Sequence, residues 1–137
     1  MTPLTLYEYA QQHDIPVTWF DFQRAESLSV RLPDGSCAVA IDPWKMSTVA
    51  EETVALAHEL GHCETGSFYS AESPQSLRSR MENRADKWAI RRLVPADALS
   101  RALEEGCCEV WDLAERFGVT EDFMRKALCY HLHGSLA

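Results

Sequence analysis

The stretch His58-Glu59-Leu60-Gly61-His62 lies near the middle of the chain. Residues four positions apart lie on the same face of a helix, so His58 and His62 can direct both imidazoles at one metal ion. Glu59 follows the first histidine and can reach a water molecule at that metal. Two histidines with a neighbouring carboxylate are typical of a hydrolytic zinc site.

The residues around this stretch predict that it is helical. Thr48 and Glu51 have the spacing of a capping box, which is a signal for a helix start. Gly66 is a natural helix end. Apolar residues recur at helical spacing between these two points: Val54, Leu56, Ala57, Leu60 and Gly61.

A catalytic zinc site takes three protein ligands and leaves one position for water. A second helix is predicted after Ser73-Pro74, with Ser76 as a candidate cap, and it carries Glu82 and Asp86 on one face. We expect Glu82 to be the third ligand and Asp86 to accept the remaining ring N–H of a ligand histidine. In the alternative type of zinc motif, the third ligand is a histidine soon after His62, with a glycine between them. Thr65 and Phe68 occupy the places of that glycine and histidine here.

Composition is that of an ordinary globular protein. The 137 residues are 46% hydrophobic and 25% charged, with a net charge of −8. We expect one domain over 1–137, with the sheet and zinc-site helices in 1–95 and a helical part in 96–137. No apolar run of signal-peptide or membrane-spanning length is evident, so we expect a cytoplasmic protein without membrane contact.

The five cysteines do not form a recognisable disulfide framework. An odd number without regular spacing favours free thiols in a reducing compartment. We therefore interpret all five as small buried or half-buried residues: Cys37, Cys63, Cys107, Cys108 and Cys129.

The first part of the chain predicts a short helix and then a small sheet. Thr5 and Glu8 suggest a capped helix from Thr5 to Gln12, and Val17 to Phe22 is expected to be a strand. Alternating residues on both sides of the turn Pro33-Asp34-Gly35-Ser36 predict a β-hairpin that ends at Asp42. An edge strand beside a zinc site can hold a peptide in extended form, although the hairpin can also serve only as scaffold.

Two or three short helices are predicted after Pro95, over 96–105, 110–117 and 121–130, with Thr120 capping the last. The last two have the spacing of a helix-turn-helix. The candidate recognition helix offers few basic residues, namely Arg125, Lys126 and His131, and the chain is acidic. These features argue against direct DNA binding and favour a packing or partner-docking role.

These elements resemble the ImmA/IrrE family of zinc metallopeptidases over most of the chain from about Gly35 to about Leu128. The resemblance rests on the zinc motif together with three further segments: Ile41-Asp42-Pro43, Glu82-Asn83-Arg84-Ala85-Asp86-Lys87-Trp88-Ala89 leading to Leu93-Val94-Pro95, and Leu113-Ala114-Glu115-Arg116-Phe117-Gly118-Val119-Thr120. A glutamate ligand from a following helix is similar to the gluzincin class. The expected fold is α+β: a small zincin-like domain with a short antiparallel sheet, the active-site helix and C-terminal helices.

The resemblance implies that His58, His62 and Glu82 bind Zn²⁺ and that Glu59 is the general base. It also implies an endopeptidase that cleaves a helix-turn-helix repressor, often one of a phage or mobile element. The alternative is a zinc-containing module that regulates a repressor by docking without cleavage. A donor to the tetrahedral intermediate is also needed, and Tyr69, His131 and His133 are candidates.

Overall fold

The computed structural model describes residues 2–22 and 25–136. The secondary-structure elements follow one another in this order: α1 (Pro3–Gln12), β1 (Val17–Trp19), β2 (Ser27–Arg31), β3 (Cys37–Ile41), a 3₁₀ helix (Pro43–Lys45), α2 (Val49–Thr65), α3 (Gln75–Leu93), α4 (Ala96–Glu104), α5 (Val110–Phe117) and α6 (Glu121–His133). This is the α+β class that the sequence predicts, with one small sheet and six α-helices in the described part of the chain.

The described strands form one sheet in the order β1-β3-β2. The predicted hairpin is confirmed, because β2 and β3 pair antiparallel with Ser29 opposite Val39. The sheet is nevertheless mixed, since β1 runs parallel to β3 with Thr18 opposite Ala40. β1 is also shorter than the predicted strand, although the N–H of Phe20 still donates to the carbonyl of Ile41 at 2.9 Å.

Helix α2 begins and ends where its capping residues predict. The hydroxyl of Thr48 accepts a hydrogen bond from the N–H of Glu51 at 3.2 Å. The carboxylate of Glu51 accepts from the N–H of Ser47 at 2.8 Å, so two N–H groups at the helix start are satisfied. Gly66 ends the helix with a φ of 65°, a left-handed conformation that glycine adopts without strain.

The core lies where α2 packs against the sheet on one side and α3 on the other. Val39 and Ile41 of β3 are buried against this core, as are Leu56 and Leu60 of α2. Helix α3 adds a further set of buried residues at helical spacing: Ala85, Ala89, Ile90 and Leu93. This packing holds α2 and α3 side by side, which determines where their polar side chains meet.

Two helix starts differ from the prediction. Helix α1 begins at Pro3 rather than at Thr5, because proline fits the first helical position, where its missing N–H has no partner to lose. Helix α3 begins at Gln75 directly after Pro74, without a side-chain cap, so Ser76 lies inside the helix.

The predicted C-terminal helices are confirmed as α4, α5 and α6. Gly118 ends α5 in the left-handed conformation, and the Thr120 hydroxyl caps α6 by accepting from the N–H of Phe123 at 3.2 Å. No helix within residues 2–22 and 25–136 is both long enough and apolar enough to cross a lipid bilayer.

The expectation of free thiols was wrong for two of the cysteines. Cys37, at the start of β3, forms a disulfide with Cys63 in the second half of α2, and their α-carbons are 5.7 Å apart. The fold brings them together because the β2–β3 hairpin packs along α2. Cys107 is buried with a free thiol, and Cys108 is exposed with a free thiol.

Candidate metal centre

Helix α2 presents two imidazoles from one of its faces. His58 and His62 are one helical turn apart, and their ring centroids are separated by 4.8 Å with the planes nearly perpendicular. Their Nε2 atoms approach to 3.2 Å. His62 is 5% exposed and the side chain of His58 is 21% exposed, so His62 is buried and His58 lies nearer to solvent.

Helix α3 adds a carboxylate to the same point. Glu82 Oε2 lies 2.7 Å from His58 Nε2, and Glu82 Oε1 lies 3.2 Å from His62 Nε2. One donor atom from each of these three residues lies within 4.8 Å of the others. Two imidazole nitrogens and one carboxylate oxygen are a donor set that leaves a fourth position open on a tetrahedral ion. The cluster can therefore hold a metal ion.

The ring of His62 is held with its outer nitrogen directed at this cluster. Its Nδ1 lies 2.5 Å from the backbone carbonyl of Ser67. A carbonyl oxygen only accepts, so Nδ1 must carry the proton, and in the neutral ring Nε2 then carries the lone pair that a metal needs. Ser67 reaches this position because Gly66 turns the chain back against the end of α2. Ser67 was not predicted from the sequence, although the predicted helix end at Gly66 was a signal.

The ring of His58 is held in the same way by a side chain. The carboxylate of Asp86 accepts from His58 Nδ1–H at 2.7 Å, and it also accepts from the ammonium group of Lys126 at 3.3 Å. Asp86 is itself only 9% exposed. It therefore lies where the sequence predicted a partner for a ligand histidine. Lys126 of α6 was not predicted, because it is far from Asp86 in the sequence.

The close packing of the cluster shifts the pKa values of His58 and Glu82. Burial alone disfavours the charged form of His58, but hydrogen bonds to Asp86 and Glu82 outweigh it and raise the pKa of His58 to about 10. The hydrogen bond from His58 in turn holds the pKa of Glu82 well below its usual range. A metal ion that binds here would replace the proton on His58 Nε2, so binding would release that proton.

Glu59 is buried beside the cluster without being part of it. The side chain is 7% exposed, and its Oε2 accepts a hydrogen bond from the hydroxyl of Ser27 at 2.8 Å. Ser27 is the first residue of β2, so this bond connects the sheet to α2. A role for Glu59 was predicted from the sequence, whereas the contact with Ser27 was not.

Of the three candidate donors, Tyr69 contacts the cluster. Its hydroxyl donates to Glu82 Oε1 at 2.5 Å, and this hydrogen bond contributes most to a pKa raised to about 12. His131 Nε2 instead lies 2.7 Å from the backbone carbonyl of Val94. His133 is exposed in the last turn of α6.

Two open cavities meet at the cluster. The larger, about 820 Å³, lies between α2, α3 and α6, and the smaller, about 310 Å³, lies between α2 and β2. His58, Tyr69 and Glu82 line both. A chain segment placed across the cluster would therefore extend into a cavity on each side.

Comparison with known proteins agrees with this geometry. A family model for peptidase M78, described as IrrE N-terminal-like domain, matches residues 10–128. No match was found among the curated proteins or among the solved structures. The matched range contains both helices of the cluster and extends to α6. The chain therefore belongs to the peptidase M78 family of IrrE N-terminal-like domains, and its residues form a metallopeptidase-type domain with a possible metal centre at His58, His62 and Glu82.

Proposed function

We propose that this protein is a zinc-dependent endopeptidase. The observation that carries the proposal is the convergence of His58, His62 and Glu82 on one point, with the buried carboxylate of Glu59 beside it. In this proposal the three converging residues bind Zn²⁺ and Glu59 is the catalytic base. Asp86 holds the ring of His58. The donor set supports zinc, because one carboxylate and two imidazoles are typical of hydrolytic zinc sites.

The chemistry follows from where these groups lie. Zinc bound here would supply a Lewis acid that polarises the scissile carbonyl and lowers the pKa of the attacking water. Glu59 takes a proton from that water while the water oxygen forms its bond to the carbonyl carbon. Glu59 then delivers the proton to the amide nitrogen as the C–N bond breaks. The base is thus restored after each cycle.

Tyr69 is the proposed donor to the negative charge that develops on the carbonyl oxygen. Its hydroxyl already lies at the cluster, where it donates to Glu82. The Tyr69 side chain is 41% exposed, so it has room to turn from Glu82 toward a bound substrate. Donors directed at such an oxyanion are often the largest single contribution to catalysis.

The free edge of β2 is the proposed binding site for an extended substrate. The N–H of Asp42 donates to the carbonyl of Glu26 at 2.8 Å, and hydrogen-bonded pairs alternate along an antiparallel ladder. The backbone groups of Ser27 and Ser29 therefore point away from β3. Both residues line the smaller cavity together with the cluster. A peptide that pairs with this edge would pass over the candidate metal site.

For the substrate we propose a helix-turn-helix repressor, as the family resemblance implies, with a phage or mobile element as its source. Charge supports this choice, because a DNA-binding repressor is basic on its DNA-facing side and this chain has a net charge of −8. Such a repressor acts in the cytoplasm, which is therefore the proposed location. Direct DNA binding by this chain is not part of the proposal.

The test compares the wild-type protein with Glu59→Gln, both loaded with zinc, against a helix-turn-helix repressor encoded next to this protein. Glutamine keeps the size of the side chain but cannot accept the proton, so cleavage should fall on the order of 100- to 10,000-fold. Zinc content and capture of the repressor in a pull-down should stay at the wild-type level. Glu64→Gln is the matched control. Glu64 lies on the same helix but accepts a hydrogen bond from the Tyr9 hydroxyl, so this variant should cleave the repressor normally.

The same variant, tested in a reporter strain, separates cleavage from docking. If Glu59→Gln relieves repression in a reporter strain as well as the wild type does, cleavage is not the mechanism. A zinc-containing module that regulates the repressor by binding alone would then replace the peptidase.

A further inference from the structure

The two oxygens of the Glu59 carboxylate have different surroundings. The Ser27 hydroxyl donates to Oε2 at 2.8 Å, and the side chain is almost fully buried between β2 and α2. A carboxylate can rotate about its terminal bond, which exchanges its two oxygens. The hydrogen bond from Ser27 fixes the orientation of the carboxylate plane, so one oxygen is engaged by Ser27 and the other, here Oε1, is left to face a water molecule.

The bond is compatible with both protonation states of Glu59. The ionised carboxylate accepts at either oxygen, and a hydroxyl can donate to it. When Oε1 receives a proton, Oε2 becomes the carbonyl oxygen of a carboxylic acid and still accepts from Ser27. The Ser27 contact therefore need not break when the proton is taken up or delivered.

We propose that Ser27 is the positioning residue of the general base: its hydroxyl holds Glu59 Oε2 so that Oε1 performs the proton transfers. This inference rests on the proposed peptidase function. It also connects substrate and base, because the backbone of Ser27 faces the free edge of β2 while its side chain holds Glu59. One residue thus sets the distance between the edge where a peptide would pair and the carboxylate that acts on it.

The first experiment separates positioning from support of the fold. Hydrolysis of fluorescein-labelled casein is measured for zinc-loaded wild type, Ser27→Ala, Ser27→Thr and Ser100→Ala. Ser27→Ala should lower kcat on the order of 10- to 100-fold with little change in KM, because a misplaced base slows the chemical step rather than binding. Threonine keeps the hydroxyl and should restore most of kcat. Ser100→Ala, at an exposed position of α4 that lines neither cavity, should behave like wild type.

Zinc content is the accompanying readout, and it should be the same in all four proteins because the hydroxyl of Ser27 donates to Glu59, which is not a candidate ligand. In a Glu59→Gln background the Ser27→Ala change should cause no further loss of rate, since the base it positions is gone. A wild-type kcat in Ser27→Ala, or equal losses in Ser27→Ala and Ser27→Thr, would overturn the proposal.

A second experiment tests the contact without any substrate. Thermal unfolding of the metal-free protein is compared for wild type, Ser27→Ala, Glu59→Ala and the double variant. Ser27→Ala should lower the unfolding midpoint in the wild-type background but not when Glu59 is alanine. Equal shifts in both backgrounds would show that the two side chains do not interact and would refute the positioning role. If the wild type cleaves neither casein nor the repressor, the peptidase proposal fails on its own, whatever the result of this cycle.

Discussion

Gly61 and Ala85 mark a close backbone contact between the two helices of the candidate metal centre. A β-carbon added to Gly61 would lie 2.5 Å from the backbone carbonyl oxygen of Ala85 and 3.1 Å from its carbonyl carbon. Only a residue without a side chain allows this approach. Because α2 and α3 touch here, Glu82 lies within 2.7 Å of His58, one turn away on each helix.

Gly61→Ala should destabilise the protein and weaken metal binding. The new methyl group meets backbone rather than a movable side chain, so the helices must separate, at a cost of about 1–3 kcal/mol. Helix propensity alone predicts the opposite sign, since alanine stabilises a helix by about 1 kcal/mol relative to glycine. Urea unfolding of the wild type and Gly61→Ala decides between these two expectations. An unchanged or higher stability of Gly61→Ala would contradict the close contact.

Removal of the candidate ligands should remove the metal. We expect one zinc per wild-type chain and essentially none in a His62→Ala, Glu82→Ala double variant, because one remaining imidazole cannot enclose the ion. Elemental analysis of protein purified without chelator measures this. His133→Ala, which removes an exposed histidine at the end of α6, is the control and should keep its zinc. Full occupancy in the double variant would refute the ligand assignment.

Asp86→Ala should weaken zinc binding roughly 10- to 100-fold while the fold stays intact. The change removes the acceptor of His58 Nδ1–H, so the ring is no longer held toward the cluster. Competition with a chromophoric chelator gives the affinity, and circular dichroism monitors the fold. Asp122→Ala changes a carboxylate of the same cavity that is paired with Arg125, and it should leave the affinity unchanged. Wild-type affinity in Asp86→Ala would show that Asp86 does not support the ligand His58.

Tyr69→Phe should lower kcat on the order of 100-fold if the hydroxyl donates to the developing oxyanion. The ring stays, so zinc content and KM should change little. Steady-state hydrolysis of labelled casein provides both constants. Tyr130→Phe on α6 is the matched control with no expected effect. A kcat within about twofold of wild type in Tyr69→Phe would assign the tyrosine to ligand support alone.

Loss of the Cys37–Cys63 disulfide should lower the stability of the domain. The bridge closes a loop between two cysteines that are 26 positions apart in the sequence. Release of this constraint in the unfolded chain should cost about 3–4 kcal/mol by the chain-entropy account. Urea unfolding with and without reductant measures the difference, which should vanish in a Cys37→Ser, Cys63→Ser variant. Cys108→Ser, at an exposed free thiol, should keep the full response to reductant. A wild-type stability that is indifferent to reductant would contradict the bridge.

The local features of this protein were readable from its sequence. The start of α2 at Thr48 and its end at Gly66 follow from hydrogen bonds within a few residues of each helix end. The common face of His58 and His62 follows from helical periodicity alone. The hairpin follows from alternation on both sides of a turn, and the common face of Glu82 and Asp86 follows from their spacing of four on the next helix.

Tertiary structure alone decided the contacts that complete the site. Ser27 meets Glu59, Lys126 meets Asp86 and Cys37 meets Cys63 across separations of 32, 40 and 26 residues. The parallel pairing of β1 with β3 was likewise decided only by the tertiary structure. No local period or cap encodes such pairs, because they exist only after the apolar faces of β3, α2 and α3 have packed together. Local chemistry thus determined which residues could bind a metal, and burial of the shared core determined which side chains hold them in place.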